Sequence, residues 1–126
     1  MAVKVLNTKK PMKHISLCAI LLTIVPASFA QKSGTFTGEI MDQQCAQMQS
    51  HDNMMKSEGA KDAKECTLSC VKNGGKFALF DPATKKVYVI EDEKKIRQYA
   101  GQRVQITGSY DDNSEVLHVK SVAPAH

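Results

Sequence analysis

The sequence has few of the signatures by which catalysis is usually read. It contains no Gly-x-Ser-x-Gly elbow to frame a nucleophile, no Cys-x-x-Cys pair, no Cys-x-x-Cys-His haem attachment and no glycine loop to cradle phosphate. Gly74-Gly75 follows a helical pattern, where glycine serves as a cap. A membrane-spanning run is missing too. The apolar stretch Ile15–Val25 has eleven residues, against the ~20 that a spanning helix needs. There is no internal repeat and no low-complexity tract.

An excess of one charge is also absent once the amino-terminal segment is set apart. Lys4, Lys9, Lys10 and Lys13 belong to the 17 basic residues, while all 13 acids lie beyond residue 30, so residues 31–126 balance 13 bases against 13 acids. The pI near 8.9 therefore comes mostly from the first 30 residues. No nucleic-acid partner is expected, because a backbone-tracking surface needs net positive charge.

The first 30 residues have the layout of a cleavable signal peptide: a lysine-rich start, the apolar run, then Pro26-Ala27-Ser28-Phe29-Ala30 with small residues three and one before a cut. A retained anchor is the competing reading. A lipoprotein site fits poorly, since Cys18 lies early in the run and follows Leu17. The expectation is an exported protein, periplasmic or extracellular and not embedded in a membrane after cleavage. Removing 30 of the 126 residues leaves 96, enough for a single domain with one modest core.

What remains reads as mainly β. Thr35–Met41 alternates, with Phe36, Gly38 and Ile40 on one side and Thr35, Thr37 and Glu39 on the other, which predicts a half-buried strand. Residues 42–59 are polar and rich in Met and Gln, and predict loosely ended helix. Asp62 and Glu65 form a capping box for a helix to Lys72, stopped by Asn73-Gly74-Gly75. Phe77–Phe80 and Val87–Ile90 flank the turn Asp81-Pro82-Ala83-Thr84, a hairpin pattern. Glu91–Ala100 suits a short helix ended by Gly101, with acids at its positive end. Arg103–Tyr110 and Val116–Val122 complete the strands. The expected architecture is a five-stranded OB-like barrel over residues 31–126. A helical, cysteine-containing insertion separates strands 1 and 2, and a short helix separates strands 3 and 4. The rival is an open antiparallel sheet with helices on one face.

Three cysteines survive removal of the signal: Cys45, Cys66 and Cys70. An odd number in an oxidising compartment leaves three readings. In the first, Cys45 bonds to Cys66 or Cys70 as a structural disulfide with a spare thiol, which could link two chains as a dimer. In the second, Cys45, Cys66 and Cys70 join His51 in a three-Cys, one-His metal set suited to zinc. Met41, Met48, Met54 and Met55 nearby add soft donors suited to copper(I), although methionine at helical spacing more often packs a core. In the third, the unpaired thiol is redox-active, which needs a pKa well below the usual ~8.5. A Cys66–Cys70 bond is disfavoured, because adjacent helical turns present their Cβ atoms poorly for a disulfide. The first reading, a non-enzymatic binding module stapled by a disulfide, is the primary expectation. No catalytic or organic-cofactor residues are assigned.

Other candidates carry less. His118 lies in the last strand, where it is expected to face solvent, and His126 is terminal. Phe36 and Phe77 are expected in the core and Tyr88 and Tyr110 on an exposed strand face. Two tyrosines without a basic field do not make a single-strand-binding surface.

Phe36-Thr37-Gly38-Glu39-Ile40-Met41-Asp42-x-x-Cys45, His51, Cys66-Thr67-Leu68-Ser69-Cys70-Val71-Lys72-x-Gly74-Gly75-Lys76-Phe77 and Ala100-Gly101-x-Arg103-Val104-x-Ile106-Thr107-Gly108 together resemble an uncharacterised family of small secreted bacterial OB-like domains. The resemblance spans nearly all of residues 31–126. It implies export, the fold, and a pattern of three cysteines and a histidine soon after the first, here Cys45, Cys66, Cys70 and His51. Five residues separate Cys45 from His51, a longer gap than the Cys-x-x-x-His form of related sequences. The resemblance implies no activity.

Overall fold

The computed structural model describes residues 31–126, so the signal-peptide reading of residues 1–30 lies outside the described residues. The chain runs β1 (Gln31–Asp42), α1 (Gln43–Met48), α2 (Asp52–Glu58), α3 (Ala63–Lys72), β2 (Phe77–Asp81), β3 (Lys86–Ile90), α4 (Glu93–Ile96) with a 3₁₀ turn at Arg97–Tyr99, β4 (Arg103–Asp111) and β5 (Val116–Pro124). The strands close into a barrel in the order β1-β2-β3-β5-β4. The open-sheet alternative is thereby set aside. No helix among the described residues is long and apolar enough to cross a membrane.

β1 is the shared strand. Its residues Gln31–Glu39 pair antiparallel with β4, and Glu39–Asp42 pair with β2, so its end turns from one neighbour to the other at Glu39. This extends the predicted strand in both directions. The polar residues Gln31–Gly34 continue it because their backbone has β4 to pair with, whatever their side chains prefer. A parallel contact, Val89 opposite Val116, closes the barrel between β3 and β5.

Alternation fills the interior. Ile40, Phe77, Leu79, Ile90, Ile96, Val104, Ile106 and Leu117 are all at or near zero exposure and form one core. Phe77 takes its expected place and Phe36 packs half-buried against the core. Tyr110 departs from the expected exposed face. It is 4% exposed, packs edge-on to Tyr88 at 5.0 Å, and Tyr88 in turn packs on Phe36 at 5.2 Å. The register that places Tyr110 opposite Leu117 carries its ring inward.

The cysteine helix approaches the chain leading into β4 backbone to backbone at one point. Gly101 has φ +72°, donates its N–H to the Ile40 carbonyl at 2.8 Å, and lies so close to α3 that a Cβ would meet the Lys64 nitrogen at 2.5 Å. Only glycine adopts that conformation and that approach without strain.

Candidate functional site: a buried thiol–imidazole cluster

The site forms where β1 hands over to the helices. Asp42, almost fully buried, caps α1: its carboxylate accepts from the Gln44 and Cys45 backbone N–H groups at 2.9 and 3.3 Å. That cap turns the chain sharply and points Cys45, in the first helical turn, to the inside. The polar segment then breaks into two short helices instead of one. Gln49 takes a left-handed conformation, φ 59°, and ends α1, while His51 precedes α2.

α3 supplies the other two thiols. Asp62 caps it, accepting from the Glu65 N–H at 2.8 Å, but the Glu65 carboxylate reaches back to the Lys61 N–H instead of the capping residue's own. The capping box is thus displaced by one residue on its return side. At the other end, Gly75 N–H donates to the Cys70 carbonyl at 2.9 Å and Gly74 N–H to Val71 at 3.1 Å, with Gly74 at φ +101°. This paired Schellman closure fixes the turn that carries Cys70.

The three helices bring together what 25 residues of sequence separate. The sulfurs of Cys45 and Cys66 and a ring nitrogen of His51 lie within 4.8 Å of one another, and so do the sulfurs of Cys45 and Cys70 and an Asp42 oxygen. Cys45 belongs to both groups and is the centre of the cluster. All three cysteines are free. Cys45 and Cys66 have no exposure, whereas Cys70 is half-buried and lines a cleft of about 670 Å³ with Asp42, Met54, Glu58 and Lys76.

His51 is held from its far side. Nε2 lies 3.0 Å from Glu39 Oε1, while Nδ1 is buried without any hydrogen-bond partner. A buried orphan nitrogen is costly, of order 1–3 kcal/mol, and calls for an explanation. An imidazole tied by one nitrogen to a carboxylate and free at the other is the arrangement of a metal-ligating histidine with its outer-shell partner.

Burial sets the electrostatics of the thiols. It pushes Cys45 strongly upward, reinforced by the adjacent Asp42 carboxylate. It raises Cys66, against the opposing pull of hydrogen bonds with the Cys45 and Cys70 thiols. Cys70 is pushed up to about 11, again chiefly by burial and then by Asp42. Neutral, mutually hydrogen-bonded thiols are the opposite of the lowered-pKa nucleophile that the thiol-redox reading requires.

The methionines divide. Met41 is buried in the same apolar cluster as Cys45 and Cys66, and Met54 and Met55 pack against it, whereas Met48 stands 41% exposed and apart from the site. His118 is exposed on β5, as its strand position implies. Two participants escape the sequence reading, Glu39 and Asp42. Asp42 carried the signal of a helix cap at a strand end. Glu39 carried none, since twelve residues separate it from His51 and its strand alternation marks it only as polar.

Comparison with protein-family models, with curated proteins and with solved structures finds no match to this chain.

Proposed function

We propose that this protein is an exported, OB-like metal-binding module that holds a thiophilic ion, zinc(II) in first place, through Cys45, Cys66, Cys70 and His51. The single observation that carries this is the buried, unpartnered Nδ1 of His51, whose opposite nitrogen is held by Glu39, beside free thiols. Three thiolates and one imidazole are a valid closed tetrahedral set for zinc. A divalent ion also offsets more of the charge of three thiolates, two of them fully buried, than copper(I) would. The nearby Met54 and Met55 keep copper(I) as the competitor to be tested.

A Cys45–Cys66 or Cys45–Cys70 staple with one spare thiol uses two sulfurs of the three and gives Nδ1 no role. The strand order β1-β2-β3-β5-β4, with β1 shared between two neighbours and a short helix between β3 and β4, supports the OB-like label. Export rests on the layout of residues 1–30.

The test is native mass spectrometry of the protein purified from the periplasm without reductant or chelator, paired with a thiol count after denaturation in EDTA. One metal ion per chain and three free thiols are expected. A metal-free chain two hydrogens lighter, with one thiol, would sink the proposal and restore the structural disulfide. Cobalt(II) added to the stripped protein should give the visible bands of a tetrahedral, sulfur-rich site.

A further inference from the structure

The three sulfurs are not equivalent in what can reach them. Cys45 and Cys66 are sealed, while Cys70 borders the cleft between α1, α2 and the turn at Asn73–Lys76. A small oxidant arriving from solvent therefore meets Cys70 first.

Once Cys70 is oxidised, geometry selects its partner. Cys66 lies on the same helix, four residues earlier. Side chains so spaced have Cβ atoms ~5–6 Å apart, beyond the roughly 3.5–4.5 Å that a disulfide accepts. Cys45 sits on a different and very short helix, and its sulfur is within 4.8 Å of the Cys70 sulfur. The two sulfurs must close from within 4.8 Å to the ~2.05 Å of a disulfide, and α1 has just six residues to carry along.

We infer that Cys70, by its access to solvent, is the point at which peroxide slowly enters the cluster and that Cys45 is its resolving partner, so that oxidation converts the ligand cluster into a Cys45–Cys70 disulfide with Cys66 unpaired. The Cys70 thiol, and after it the Cys45 thiol, gives its proton to solvent, slowly because burial holds it, and the Cys70 thiolate attacks one oxygen of hydrogen peroxide. The S–O bond forms, the O–O bond breaks, and hydroxide leaves, giving the sulfenic acid. The Cys45 thiolate then attacks that sulfur and displaces a second hydroxide as the S–S bond forms. Two thiolates are oxidised by two electrons and one peroxide is reduced to two hydroxides. The loss of two ligands at once dismantles the metal set, a consequence that rests on the metal-binding reading. The pairing itself does not.

The experiment treats both metal-loaded and metal-stripped protein with hydrogen peroxide to completion, followed by alkylation with N-ethylmaleimide. Cys66 and Cys70 fall in one tryptic peptide, residues 65–72, so the alkylated cysteine is located by fragmentation of that peptide after reduction. Label on Cys66 alone, in a monomer that reductant restores to three thiols, is the expected result. Label on Cys70, which would mean a Cys45–Cys66 bond, overturns the assignment, as does a disulfide-linked dimer. Cys70→Ser should abolish the intramolecular disulfide, whereas Cys66→Ser should retain it. If the stripped protein forms the Cys45–Cys70 bond yet never takes up zinc, the metal reading fails and the pairing stands. If loaded protein loses two thiols but keeps its zinc, the metal-release step is refuted while the metal reading survives.

Discussion

Glu39 Oε1 accepts from His51 Nε2 at 3.0 Å, a contact that joins the barrel's shared strand to the loop between two short helices. Glu39 is 37% exposed at its side chain and His51 only 9%. The contact thus sits at the edge of the buried cluster, open to solvent only on the Glu39 side. Its value lies in orientation, since it fixes which ring nitrogen remains for a ligand.

Affinity and stability should respond differently to changes at Glu39. Glu39→Ala should lower zinc affinity 10- to 100-fold, the usual cost of losing an outer-shell partner. Glu39→Gln, which keeps an acceptor oxygen, should lose less. Glu39→Gln should leave the urea midpoint of the stripped protein near the parent's, whereas Glu39→Ala should lower it, because the His51 Nε2 proton loses its partner. Competition against a chromophoric chelator measures the first, and denaturant titration the second. Equal zinc affinity in Glu39→Ala and the parent would remove Glu39 from the site.

The raised thiols make pH a second lever, with opposite signs for the loaded and stripped states. Metal binding must strip protons from thiols that burial keeps neutral, so zinc affinity should climb with pH, with up to three protons released per ion near neutrality. Calorimetry in buffers of different ionisation enthalpy counts those protons. In the stripped, reduced protein the unfolded chain ionises Cys70 first, at its ordinary value of 9.0, while the fold holds it protonated to about 11. The contribution of Cys70 is thus fully present below pH 9 and lost as pH rises toward 11. Urea midpoints should be level up to pH 9 and fall by pH 10.5. Iodoacetamide should react slowly with native Cys70 at neutral pH and faster through the same interval.

Much of this architecture was legible in the residues. The period-two patterns at Thr35–Met41 and Arg103–Tyr110 located two strands, and Asp62 with Asn73-Gly74-Gly75 bounded the cysteine helix, because caps and alternation are local. The split of residues 42–59 into two helices was not, since it depends on a left-handed Gln49, a residue with no strong preference for that conformation. Nor was the inward turn of Tyr110, which follows from barrel closure. The cysteines and His51 could be nominated as a set. Their convergence on Cys45, and the service of Glu39 and Asp42, are products of tertiary packing that no spacing encodes.

Gly101 tests how the helix bearing Cys66 and Cys70 is held. Gly101→Ala meets both a left-handed backbone and the Lys64 nitrogen, and should cost about 1–3 kcal/mol for the conformation alone. Gly34→Ala, with nothing within 4 Å of the added carbon, is the control and should be nearly neutral. Thermal or urea unfolding compares the two. A Gly101→Ala protein as stable as Gly34→Ala would mean that α3 is not seated on the barrel at this point.

Asp42 has two roles that one pair of substitutions can divide. Its carboxylate caps α1 and so aims Cys45, and its charge lies beside the Cys45 and Cys70 sulfurs. Asp42→Asn keeps an oxygen for the cap but removes the charge; Asp42→Ala removes both. If capping dominates, Asp42→Ala should lose roughly 0.5–2 kcal/mol of stability and bind zinc more weakly, because Cys45 is no longer aimed, while Asp42→Asn stays near the parent in stability. Removing the charge should also bring the Cys70 thiol down from its raised value in both variants, since the Asp42 carboxylate is the second cause of that rise after burial. A pH–rate profile for alkylation of stripped Asp42→Asn that shifts to lower pH, in a protein whose fold is unchanged, would isolate the electrostatic role. An unshifted profile would leave the rise at Cys70 to burial and to its other neighbours, Cys66 and Glu58.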